Sequence, residues 1–141
     1  MAETFANEIS GVDSVPSTKS SGGVQGGRLR RFRATITLAA QAIADTIVLA
    51  DVPVGHVFAY GVLNTGTSLG TSTLAIGNST TAGKYRAAAT FTATNTPTMF
   101  GVNAAVAADA PEEVERVIAT VAVAALPASG TLVVDLYFSA P

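Results

Sequence analysis

From Arg28 onward, hydrophobic and polar residues alternate almost one by one, the period of a strand with one buried face. The clearest stretch is the last. Val117, Ala119, Val121 and Val123 alternate with Ile118, Thr120, Ala122 and Ala124, and Leu132, Val134, Leu136 and Phe138 alternate with Val133, Asp135, Tyr137 and Ser139. Between them Leu126-Pro127-Ala128-Ser129-Gly130 supplies the fixed and positive φ values of a connection, so Glu112 to Pro141 is expected as two long strands joined by one tight turn. The first of these strands is apolar on nearly both faces, which places it mid-sheet or under another layer. Strands this apolar need a facing sheet to exclude water.

The same reading runs through the middle of the chain. Arg28 to Leu38 is a first strand, with Phe32, Ala34, Ile36 and Leu38 facing one way and Arg31, Arg33, Thr35 and Thr37 the other. Thr46 to Val52 is a second, closed by Pro53-Val54-Gly55. His56 to Leu63 is a third, with Phe58, Tyr60 and Val62 on one face and Val57, Ala59 and Leu63 on the other. Thr71 to Ile76 and Tyr85 to Phe91 follow, the latter with Tyr85, Ala87, Ala89 and Phe91 on a common face, and Thr98 to Val102 is a sixth. Residues 103–111 form a loop or one helical turn. Eight short, evenly spaced strands with Gly- and Pro-marked turns predict an all-β chain, an antiparallel β-sandwich or jelly roll. Small residues at Ala34, Ala59, Ala87, Ala89 and Ala119 are expected to let the two sheets approach closely.

Residues 1–27 lack either period. Their Gly, Ser, Thr and Pro content cannot bury enough to fold alone, yet Phe5, Ile9, Val12 and Val15 are scattered through them. A plain linker has no use for apolar anchors, whereas an arm that lays side chains on a neighbour does. The division is therefore an extended N-terminal arm, 1–27, and a β-sandwich domain, 28–141.

Charge sharpens the picture. Only 13% of the 141 residues are charged, about half the usual share, so part of the surface is expected to be covered by partners. The net charge of −2 gives no footprint for nucleic acid. It is unevenly spread: residues 1–33 hold Lys19, Arg28, Arg30, Arg31 and Arg33 against Glu3, Glu8 and Asp13, while the remainder is acidic. A basic strand beside an acidic body suits contact between copies, and Arg28, Arg30, Arg31 and Arg33 read as an acid-paired or partner-binding strand face in preference to a phosphate grip. There is no cysteine, hence no disulfide and no thiolate chemistry. The first residues show no apolar leader and no run reaches membrane-spanning length, so synthesis in a cytoplasm and no membrane partner are expected.

Candidate chemistry is sparse. His56 is the single histidine and has no acid or second histidine at ligand spacing, which suits a turn or surface role. Asp45 and Asp51 lie a strand length apart and cannot share a proton. Glu112, Glu113 and Glu115 lack the Asp-rich loop of a calcium site and read as a solvated start to a strand. The glycine run 22–27 precedes a strand and not a helix, so it is no phosphate cradle. The expectation is a protein without catalytic, cofactor or metal residues, and not an enzyme.

Arg28 to Leu38 (RLRRFRATITL), Val52 to Gly61 (VPVGHVFAYG), Thr73 to Gly77 (TLAIG), Gly83 to Ala89 (GKYRAAA) and Leu126 to Val134 (LPASGTLVV) resemble the strand-and-turn blocks of small capsid-associated virion proteins of tailed bacteriophages. The likeness spans about residues 28–139 and rests on phrasing of strands and turns, so it carries over no site residue. It implies a non-enzymatic decoration (cement) protein in the virion, on the phage head. Its partners would be the major capsid protein and copies of itself, a homotrimer foremost. A neck or tail-fibre component is the alternative from the same particle. A carbohydrate-binding jelly roll is the alternative from another class, weakened by the absence of Trp.

Overall fold

The computed structural model describes residues 6–11 and 14–141. Eight strands make up the body: β1 (Arg28–Thr37), β2 (Thr46–Val52), β3 (Val57–Thr65), β4 (Thr73–Gly77), β5 (Arg86–Thr90), β6 (Thr98–Phe100), β7 (Glu115–Ala122) and β8 (Thr131–Ala140). They form two four-stranded antiparallel sheets, ordered β1-β8-β3-β6 (sheet A) and β2-β7-β4-β5 (sheet B). Residues 103–106 close one helical turn.

The order has a simple origin. β1 pairs with β8, β2 with β7, β3 with β6 and β4 with β5, so the chain is one long ribbon doubled back at the turn between β4 and β5. Rolling that ribbon up adds the pairs β3–β8 and β4–β7 and puts alternate levels of the ribbon in opposite sheets. This is the jelly roll, the double-sheet solution that leaves few open edges.

The pivot is the turn after Gly77. A Cβ there would strike the carbonyl of Thr81 and lie 2.6 Å from that of Ala82, so only glycine lets the returning chain come so close. Asn78 Oδ1 accepts from the backbone N–H of Thr80 and Thr81, at 3.1 and 2.7 Å, and Tyr85 N–H donates to the carbonyl of Ile76 at 2.9 Å.

The expected C-terminal hairpin is not present. β7 lies in sheet B and β8 in sheet A, facing each other across the core. The eight residues 123–130 are a bridge between layers: Val123 and Gly130 take φ of 70° and 119°, Leu126 is buried, and its N–H reaches Gln41 O at 3.0 Å. The apolarity of both strands has its explanation in their central positions, since each is flanked on both sides within its sheet.

The core fills the gap between the layers. Val117, Ala119 and Val121 of β7 face Leu132, Val134, Leu136 and Phe138 of β8, all at most 1% exposed. Phe138 is the hub of an aromatic cluster, with ring centroids 5.4 Å from Phe58, 5.7 Å from Phe32 and 5.9 Å from Tyr85. Each such fully buried side chain contributes about 1.5–3 kcal/mol of gross burial.

Two face assignments from alternation fail, both at bulges. In β3 the register slips between Phe58 and Tyr60, so Phe58 points into the core while Tyr60 and Val62 lie on the outer face and Leu63 returns inside. In β5, which slips against β4 between Leu74 and Ile76 and forms the edge of sheet B, Ala87 and Ala89 are exposed, although Tyr85 and Phe91, just beyond its ends, are buried. An extra residue on one strand inverts every face beyond it. Of the small residues expected between the sheets, Ala119 and Ala34 pack there and Ala87 and Ala89 do not.

Candidate interaction surface

β1 is an edge strand, ten residues long, whose one ladder is with β8. Its inward residues Phe32, Ala34 and Ile36 anchor it to the core. The regular register divides the arginines between two faces: Arg31 and Arg33 share the outer face of sheet A, while Arg28 and Arg30 have the parity of Phe32 but lie beyond the core, exposed. The arginines are thus brought along one edge without forming one patch.

Arg33 is already engaged. Its Nε and Nη2 donate to the two carboxylate oxygens of Asp135, directly opposite on β8, at 2.7 Å each. The hydrogen bonds from Arg33 hold the Asp135 carboxyl below its ordinary range, and the same pairing raises the arginine. The side chains of Arg28, Arg30 and Arg31 make no ion pair or hydrogen bond among the described residues. Beside this pair, Tyr60 and Tyr137 stack with centroids 4.6 Å apart on the outer face of sheet A, a pairing that the β3 bulge creates and alternation could not show.

Of the arm anchors, Phe5 and Val12 lie outside the described residues. Ile9 is half-buried in a 3₁₀ turn, Asn7–Ile9, and Val15 is fully exposed. The described hydrogen bonds of residues 6–20 run among themselves. Residues 21–27 behave otherwise. Gly23 is buried against Pro141 and the carbonyl of Gly55, and Ser139 Oγ donates to Gly23 O at 2.6 Å.

At the opposite side of the core, Glu115 is not the solvated acid the sequence suggests. Asn78 Nδ2 and Lys84 Nζ donate to its Oε2, at 3.0 and 2.5 Å, and the hydroxyl of Tyr85 donates to its Oε1. Burial pushes the carboxyl up, but the donors from Lys84, Tyr85 and Asn78 outweigh it and hold it below the usual value. Burial, then the bond to Glu115, pushes the Tyr85 hydroxyl up. A carboxylate clamped by three donors is a structural tie between β7 and the β4–β5 turn. Glu112 and Glu113 remain exposed, and no set of three candidate ligands for a metal ion occurs among the described residues. His56 lies edge-on to Phe32, with Nδ1 3.3 Å from Val54 O. Asp45 accepts from Ala42 N–H, and Asp51 is held by Arg116 in a bidentate pair. Among the described residues, no helix is long and apolar enough to cross a membrane.

The same fold occurs in three solved particles. A chain of the cyanophage Pam1 capsid asymmetric unit superposes with a TM-score of 0.68 at 19% identity, over 82% of this chain and 86% of that one. A chain of the capsid of Ralstonia phage GP4 gives 0.67 at 22%, over 82% and 86%. A chain from the acid-stable capsid of Helicobacter pylori bacteriophage KHP30 gives 0.58 at 16%, over 80% and 88%. All three come from phage capsids. At such identities the likeness is one of fold, and it covers 80–82% of this chain and 86–88% of the others. No protein-family model matches the sequence, and no curated protein does.

Proposed function

We propose that this chain is a non-enzymatic virion structural protein, a decoration or cement protein that binds the major capsid protein on a phage head and stabilises the shell. The observation that supports it is the likeness of fold, over 80–82% of this chain, to chains of three phage capsids. The low share of charged residues and the surplus of apolar anchors in the arm fit a surface that is covered in an assembly. In this reading the protein works as a homotrimer, and the arm, 1–27, ties neighbouring subunits together. Many small contacts repeated around the shell then add through avidity, with no single site of high affinity required.

The test is co-sedimentation. Heads prepared without this protein, from the phage whose genome encodes it, are mixed with the purified full chain and spun through a gradient. The reading expects saturable binding at a fixed ratio to the shell protein, with the loaded heads more resistant to heat. Heads that sediment bare at micromolar protein would reject it, and binding confined to one copy set per particle would move the protein to the neck or tail.

A further inference from the structure

We infer that the free edge of β1 receives the N-terminal segment of a second copy of this chain, which adds to sheet A as a fifth strand and is selected by its carboxylates. The inference deepens the self-association part of the proposed function and rests on it.

The receiving edge is open. β1 bonds to β8 along one side, and its other side has no backbone hydrogen-bond partner among the described residues. Every other residue of this strand turns its N–H and C=O away from β8, and such a row is a template for strand addition. The edge is also marked by charge, since Arg28, Arg30 and Arg31 are exposed and make no ion pair among the described residues.

The segment complements it. Residues 1–18 hold Glu3, Glu8 and Asp13 and no Lys or Arg. Residues 7–9 form a 3₁₀ turn that has to open on docking, and because a spacing of five is odd, successive carboxylates of the extended segment point to opposite faces. The unpaired arginines are divided the same way, Arg28 and Arg30 to one face of sheet A and Arg31 to the other. The carboxylates are five residues apart and the three arginines lie within four residues of the edge, so a given register seats one carboxylate beside them, and the division of the arginines offers it a guanidinium whichever face it takes.

The donor is a second copy because the chain's own arm departs on the wrong side. Residues 22 and 23 pack on Pro141, at the end of β8, and on the carbonyl of Gly55, just before β3. In the order β1-β8-β3-β6 these lie on the paired side of β1, away from its open edge. The simpler reading is that arginines on an edge merely discourage aggregation. That reading requires no acidic partner, and charge swapping separates the two.

Two full-length variants are compared with the natural chain by sedimentation velocity at 50 mM salt. One carries Arg28→Glu, Arg30→Glu and Arg31→Glu, and the other carries Glu3→Lys, Glu8→Lys and Asp13→Lys. The expected result is self-association of the natural chain, weakened tenfold or more at 500 mM salt, and tenfold or greater loss in each variant alone. An equimolar mixture of the two variants regains association as mixed assemblies, because each then offers the other an edge of opposite charge to its arm. The arm variant changes nothing within the sandwich, so its unaltered melting temperature separates lost contact from lost fold. A natural chain that stays monomeric, variants that associate undiminished, or a mixture that stays dissociated would each overturn the inference. No shell enters the measurement, so its failure leaves head binding open, and failure to bind heads leaves this contact standing.

Discussion

Asp135 sits at 7% exposure in the centre of sheet A, with Leu136 and Val134 on either side of it in sequence and Val62 opposite. Arg33, by contrast, is half exposed. The asymmetry makes a prediction. Arg33→Ala strands a carboxylate in a nearly dry position, whereas Asp135→Ala leaves a guanidinium that water can reach, so the first lowers the melting temperature more than the second. An equal loss from both would show that the carboxylate is well solvated. Three acids share a second consequence. Arg33 holds Asp135, Arg116 holds Asp51, and Lys84, Tyr85 and Asn78 hold Glu115 against its burial, all below their ordinary values. A depressed folded value means that the unfolded chain takes up protons first, so this stability is fully present above the ordinary carboxylate range near pH ~4 and is lost as pH falls through the folded values. Thermal melts are expected to be level from pH 7 to about 5 and to fall steadily below about 4. Glu115→Gln should lower the plateau and make the acid decline shallower. A melting temperature that rises on acidification would contradict the assignment.

Among the elements, the turn between β4 and β5 carries the topology, because the whole ribbon doubles back there. Gly77→Ala must displace the backbone at Thr81 and Ala82, and a cost of about 1–3 kcal/mol is expected in chemical denaturation. Leu136→Ala, at a fully buried position of β8, is expected to cost about 2–5 kcal/mol by the same measurement. If Gly77→Ala were silent, the pivot would be more plastic than its geometry states. The strands themselves were legible from alternation, most of them to within one or two residues. Their partners were not. Two neighbouring amphipathic strands look alike whether they pair edge to edge or face each other across a core, so Pro127 and Gly130 read as a hairpin when they belong to a bridge between layers. Single-residue bulges are equally silent in a pattern of period two, which is why alternation places Tyr60 and Phe58 on one face. Glu115 looks solvated in the sequence for a related reason: its donors Asn78, Lys84 and Tyr85 come from a turn at least thirty residues away, which only the fold brings near. The arginine edge was legible as charge, but Asp135 as the partner of Arg33 was not.

For the molecule as a whole, the described hydrogen bonds of residues 6–20 run among themselves, whereas residues 21–27 reach the sandwich. Gly22 and Gly23 pack on Pro141, and Gly23 also meets Gly55 and accepts a bond from Ser139, so this end of residues 1–27 touches the sandwich. Deleting residues 2–20 is therefore expected to shift the melting temperature by no more than about 2 °C, since surface changes of this kind stay within roughly 0.5 kcal/mol. The same deletion should weaken self-association and lower occupancy on heads. A deletion to residue 27 should also destabilise the body, because Gly23 and its bond from Ser139 are lost. Equal stability of the two truncations would show that the 21–27 contacts carry no weight.

The account turns on the chain being a repeated component of a phage shell. A cryo-electron-microscopy reconstruction of purified particles from the phage whose genome encodes this chain tests that most directly. The account predicts density over the shell that accepts a jelly roll of order β1-β8-β3-β6 and β2-β7-β4-β5, repeated with the symmetry of the head and touching the major capsid protein. A fully assigned shell with no such density, in particles from which the chain is absent by mass spectrometry, would contradict it.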